Sequence, residues 1–386
     1  MKKAVSAALT LFIAVLFSLT AHAAADNEPD KKPPIDESGI LKSQYDALDL
    51  GDLESSVKAA GAGEIAELDI TGTTGFNEGI GQIFSVGRSQ IGGIFKGAVG
   101  SAVLIIVIAI LCSVAESFFE AGPAGSVPNY ITLSGVLAIS LVAVGDVSAF
   151  MGLGDSTLTE LSSFSKVLLP TLSAAAAASG AIASSAAKYA ATALFMDVLI
   201  TVSSGILMPV IYAFIAACIA EAAVGGEGIT GAASFLKWMA TTLLTLIVLA
   251  FVVYLGVSGV VSSATDAATL RVAKTTLSTV FPVVGSIISD AASSVLAGAS
   301  VLRNAIGVFG MLAVISLCLL PFMHLGAHYI LYKAVSKLTA TVSGSKISKL
   351  VSGIGTAFGL TMSLTGACAL MLFFSLISMI KVVTPG

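Results

Sequence analysis

Charge is what this 386-residue chain lacks most: only 11% of its residues are charged, whereas 56% are hydrophobic. A soluble domain carries roughly 25% charged residues to cover its surface. A chain of this composition, with a mean hydropathy of +0.98, is not solvated as a globule, and lipid is its expected solvent. The scarcity is uneven, because 10 of the 23 acidic residues fall after residue 97 and the rest crowd the N-terminal quarter. The nominal acidity therefore says little about partners. Cysteine is sparse too. Cys112, Cys218, Cys318 and Cys368 each sit inside an apolar run with no C-x-x-C partner. That spacing argues against disulfides and zinc and favours small buried hydrophobes. No nucleotide loop, nucleophile elbow or triad spacing occurs. No enzymatic chemistry, cofactor, metal site or nucleic-acid partner is expected.

What is present is organised from the N-terminus. Lys2 and Lys3 precede an apolar run from Ala4 to Leu19, followed by Ala21-His22-Ala23. This is the pattern of a signal peptide over 1–23, with an uncleaved first membrane helix as the alternative. Residues 24–79 form an acidic, Pro-rich segment with the composition of disorder at its start, expected outside the cytoplasm. Over 80–97, Ile80, Ile83, Phe84, Ile91, Ile94 and Phe95 recur at helical spacing, set against Gln82, Arg88, Gln90 and Lys96. This predicts an amphipathic helix lying in the membrane interface; packing on the external segment is the alternative.

Residues 98–386 read as an all-α, polytopic membrane domain. A span needs roughly 20 apolar residues, and eight transmembrane or re-entrant helices are expected, at 98–117, 130–151, 161–181, 189–222, 238–262, 277–300, 304–331 and 354–380. Gly205 and Pro209 predict a kink or break in the fourth. The sixth is polar enough that crossing and re-entry both stay open. Lys333, Lys337, Lys346 and Lys349 make the most basic loop, expected to be cytoplasmic. Seven crossings from an external N-terminus put it there. The same count places Lys188, Arg271 and Lys274 inside, and Asp155 and Glu160 outside. The chain also carries signs of an internal repeat. Pro170 and Pro282, Pro209 and Pro321, and Lys237 and Lys349 each stand 112 residues apart. Copies would run 130–241 and 242–353 with three spans apiece, an odd number that makes them inverted, as in transporters.

Ionisable residues inside spans cost roughly 2.5–3.5 kcal/mol at a helix centre, so each needs a reason. Asp146 and Asp197 read best as placed near a helix end, at a serine partner or on a protein face. Asp290 sits among Ser286, Ser289, Ser293 and Ser294 after the helix-breaking Pro282. There a conduit lining or partner contact formed by Pro282, Asp290, Ser286, Ser289 and Ser293 is as well supported as plain packing. Arg271 and Lys274 share a helical face and are expected to dock a partner or anionic membrane lipid. His324 and His328 have the i, i+4 spacing of a two-histidine metal site. No cysteine or carboxylate neighbours them, and placement at the cytoplasmic interface is the better reading.

The segment 265–310 resembles the stage III sporulation protein AE family of endospore-forming bacteria. Its strings are Asp266-Ala267-Ala268-Thr269-Leu270-Arg271-Val272-Ala273-Lys274, Phe281-Pro282-Val283-Val284-Gly285, Ser289-Asp290-Ala291 and Arg303-Asn304-Ala305-Ile306-Gly307-Val308-Phe309-Gly310. The order of signal peptide, acidic segment, amphipathic lead-in, Leu168-Leu169-Pro170 span and final apolar helix matches as well. The resemblance implies a multi-span core subunit of the complex joining mother cell and forespore, in the mother-cell membrane around the forespore. It further implies other stage III sporulation membrane proteins as partners, including ring-forming subunits and a cytoplasmic ATPase, and no catalytic residues. A stand-alone, ion-coupled secondary transporter is the rival reading of the repeat and the intramembrane acids.

Overall fold

The computed structural model describes residues 76–120, 127–280, 285–343 and 345–380, with isolated positions 55 and 58; side chains are described except at 76–78, 119–120, 127–129 and 256–294. The expected signal peptide and nearly all of the acidic segment lie outside the described residues. Seven helices follow in order: α1 Phe76–Glu120, α2 Val127–Ala178, α3 Ile182–Val202, α4 Met208–Ala223, α5 Glu227–Val280, α6 Gly285–Val342 and α7 Ser345–Ile380. A π-helical turn, Ser203–Leu207, joins α3 to α4 into one rod. Among the described residues the result is six rods long and apolar enough to cross a membrane, and no strand.

The π turn answers the expected break. Pro209 lacks an amide and crowds the carbonyl four residues earlier, at Gly205. The wider turn accommodates this, with the Met208 amide donating to the Ser203 carbonyl; local π turns are a known way to pass such a defect. Gly180 turns the chain between α2 and α3 with φ 94°, and Gly225 and Gly226 do so between α4 and α5 at 78° and 108°, in the left-handed region that glycine enters without steric cost.

Helix α7 is the axis of the bundle. It packs against α2, α3, α4, α5 and α6 and is buried on all sides, as expected of a helix apolar all round. Small residues let its neighbours close in. A β-carbon at Gly359 would stand 2.9 Å from the Tyr329 ring, and one at Gly366 would stand 2.7 Å from Phe322. Close approach of this kind drives helix association in lipid, where no hydrophobic effect separates helix from solvent. Helices α6 and α7 form an antiparallel hairpin. Helix α1 runs parallel to α6, from Gly79 beside Leu312, through Gly87 beside Leu319, to Ser113, whose hydroxyl donates to the Val342 carbonyl at 2.6 Å.

Three expectations are corrected. The first is the span count, because 130–151 and 161–178 lie in one helix, as do 285–300 and 304–331. The stretch 152–160 looked like a polar loop. Its hydroxyls instead bond to their own helix, Ser156 and Thr157 to the Leu153 carbonyl at 3.0 and 2.7 Å and Thr159 to that of Asp155 at 3.0 Å. Hydroxyls satisfied within one helix let it continue. Among the described residues six rods remain, and the boundary between the proposed repeats, at 241–242, falls inside α5. Second, 80–97 is not a separate in-plane helix. It is continuous with the following span in α1 and lays Ile83 and Ile94 against the bundle. Third, Lys188 lies at the end of the bundle opposite Lys333, Lys346 and Lys349, beside the last turn of α7. Asp155 and Glu160 stand mid-helix in α2 rather than in a loop.

Candidate functional site: a polar junction between α1, α2 and α6

Asp146 of α2 faces α1 and α6. The Ser101 hydroxyl donates to its Oδ1 at 3.0 Å, and the fully buried Tyr332 donates its phenolic hydroxyl to Oδ2 at 2.7 Å. The serine partner anticipated for this acid is thus present, and a tyrosine joins it. One turn along α6, His328 is buried and donates Nδ1–H to the His324 carbonyl at 2.9 Å. One turn along α2, Phe150 lies against the His328 ring at 3.9 Å between centroids and stacks on His324 at 5.9 Å. Phe358 of α7 closes the cluster, edge-on to Tyr332 at 5.2 Å and tilted to His328 at 5.5 Å. The histidines therefore pack against α2 and α7, with His328 buried and His324 half-buried. Burial between α2 and α7 was not readable from their own helix.

Next in sequence, Lys333 directs its ammonium to three acceptors of α7: the Ser352 carbonyl at 2.7 Å, the Ser352 hydroxyl at 3.0 Å and Thr356 Oγ1 at 2.6 Å. Ser336 and Ser348 exchange hydroxyl-to-carbonyl bonds of 2.9 and 2.8 Å. Beyond them Lys349 approaches Glu221 at 3.8 Å. The far end of the bundle holds two further buried cations. Lys188 donates to the Ser378 carbonyl at 2.5 Å, and Arg303 donates to the hydroxyls of Ser179 and Ser300 at 3.0 and 3.1 Å. Each cation meets the C-terminal end of a helix, α7 or α2, where the backbone dipole favours positive charge.

His324, His328 and Tyr332 stand at one-turn intervals along α6, and Asp146 of α2 meets the last of them. Such groups are tolerated in a membrane when they face a bundle interior and bond to one another, and they mark either ion paths or helix registry. Asp197 differs. It is exposed on α3, and no hydrogen bond ties it to a described residue. The remaining site candidates lie outside the described residues: Pro282 itself, and the side chains of Asp290, Ser286, Ser289, Ser293, Arg271 and Lys274. Helix α5 nevertheless runs unbroken from Glu227 to Val280. This sets residues 271 and 274 on the rod's distal portion, away from the Lys333–Lys349 end. The partners of Ser101, Tyr332, Lys188 and Arg303 escaped the sequence reading, because a polar residue within an apolar run shows its partner only when the helices are assembled.

The profile of the family described as Stage III sporulation protein AE matches residues 78–383. A curated relative, Stage III sporulation protein AE of Bacillus subtilis (strain 168), is 21% identical over 277 residues, covering 72% of this chain and 69% of the relative. No solved structure matches the chain.

Proposed function

We propose, from the premise that the chain belongs to the stage III sporulation protein AE family, that it is the multi-span membrane core of the channel complex joining mother cell and forespore, with no catalysis of its own. Family membership supports a role in sporulation, and the six apolar rods a place in a membrane. One observation carries the finer reading. The match from 78 to 383 spans α1 to α7 and omits the acidic N-terminal segment, so the helical bundle itself is what the family shares. Other stage III membrane proteins, ring-forming subunits and a cytoplasmic ATPase are the partners this role requires, and the mother-cell membrane is its location. Deleting the gene is expected to block sporulation after engulfment and leave vegetative growth unchanged; lost growth with intact sporulation overturns the reading. The alternative is a stand-alone, ion-coupled secondary transporter. It predicts ion-coupled uptake by the purified protein alone in proteoliposomes, whereas a complex subunit is inert there.

A further inference from the structure

Helix α7 gives a common depth scale for the two flanks of the bundle. On one flank, Met151 of α2 accepts a hydrogen bond from Thr361 at 2.9 Å, and Leu168 abuts Gly310 of α6, just past Gly307, which abuts Ile380. On the other, Met196 of α3 meets Cys368 at 3.8 Å, Thr192 bonds to Ser375, and Phe195 packs on Phe251 and Tyr254 of α5 at 5.6 and 5.8 Å. Residues 152–168 of α2 and 246–254 of α5 therefore lie at the same depth. Helices α3 and α7 separate them.

Their outer surfaces are opposite in character. On α5, Leu246, Leu249, Val252, Val253 and Tyr254 are exposed, Leu249 at 56% and Val253 at 58%. Over 152–168 of α2, the exposed residues are Gly152, Asp155, Ser156, Thr159, Ser163 and Lys166, and no large hydrophobic side chain of α2 is exposed beyond Val144. Among the described residues neither Asp155 nor Lys166 has an ion-pair partner. One solvent does not suit both flanks. Hydrocarbon on both strands a carboxylate and an ammonium, at roughly 2.5–3.5 kcal/mol each. Water on both leaves a large apolar patch open, which soluble surfaces avoid.

We propose that the α5 flank faces lipid while the α2 flank, from Asp155 to Lys166, faces water in a conduit. Small hydrophilic solutes are the class of cargo such a lining admits. The inference rests on the channel reading above, but its test does not use a sporulation phenotype, so the two fail separately.

The experiment places single cysteines in a full-length chain whose four buried native cysteines are replaced, using membranes of sporulating cells that hold the assembled complex. A small cationic methanethiosulfonate is expected to label positions 156, 159 and 163 roughly 100-fold faster than 246, 249 and 253, the ratio set by the cost of charge in hydrocarbon. A large maleimide-polyethylene glycol is expected to label neither set, because a conduit excludes it. Labelling of the α2 set by both reagents places that flank on an open surface and overturns the proposal. Labelling of both sets by the small reagent puts this half of the bundle outside the bilayer, which also overturns it. Protection of the α2 set from both means that protein covers the flank, with the same consequence.

Discussion

Asp146 and Tyr332 are the residues whose partnership the sequence concealed most. The phenol donates to the carboxylate at 2.7 Å and Ser101 supplies the second donor. Tyr332→Phe is expected to lower stability by about 1 kcal/mol, the typical worth of a polar contact between membrane helices. Asp146→Asn should cost less, because an amide still pairs with both hydroxyls. Denaturation of the purified protein in mixed micelles measures the difference, and an Asn variant weaker than the Phe variant contradicts it. At the far end, Lys188→Met removes the cation from the Ser378 carbonyl. A loss of about 1 kcal/mol is expected in the same assay, near the size of a helix-terminus charge interaction; an unchanged midpoint would show the ammonium idle. The one-turn spacing of His324 and His328 was visible from the start. Their burial against Phe150 was not, because it depends on which face of α2 meets α6.

At the scale of elements, glycines divide into two kinds that look alike in sequence. Gly359 and Gly366 of α7 sit against rings, so Gly359→Val and Gly366→Val should force α6 and α7 apart at about 1–3 kcal/mol each, the usual cost of overpacking. Gly97 of α1 has nothing within 4 Å of its missing β-carbon. Gly97→Ala is therefore expected to be neutral or to stabilise by up to about 1 kcal/mol through helix propensity. Thermal unfolding of the three variants side by side tests the division. Destabilisation of Gly97→Ala in the assembled complex, but not in the purified chain, would locate a partner helix there. Element boundaries follow the same logic. Polar residues at 152–160 suggested a loop, and back-bonded hydroxyls carried the helix through it. Pro209 suggested a break, and the π turn at Ser203–Leu207 absorbed it.

For the whole molecule, six rods set the two ends of the bundle unambiguously relative to each other. Ile182 lies at one end, and Val224 and Ser345 at the other, all three exposed. With the Lys333–Lys349 end in the cytoplasm by the positive-inside rule, cysteines at 224 and 345 should react with an impermeant thiol reagent from the cytoplasmic side, and one at 182 from the opposite side. An eight-span chain reverses both 182 and 224 relative to 345, so either pattern is decisive. Helix α2, at 52 residues, is about 78 Å long at 1.5 Å per residue, more than twice the roughly 30 Å of hydrocarbon. Length alone therefore does not say where lipid ends, and the character of each exposed face does. The sequence by itself determined the solvent, the helical class and the family, because these follow from composition and from local strings that need no partner. It determined neither the number of rods nor which polar residues meet. A polar stretch in an apolar chain reads as a loop until the hydrogen bonds that satisfy it are known. Those bonds, like the contrast between the α2 and α5 flanks, arise only when helices distant in sequence are brought to one depth.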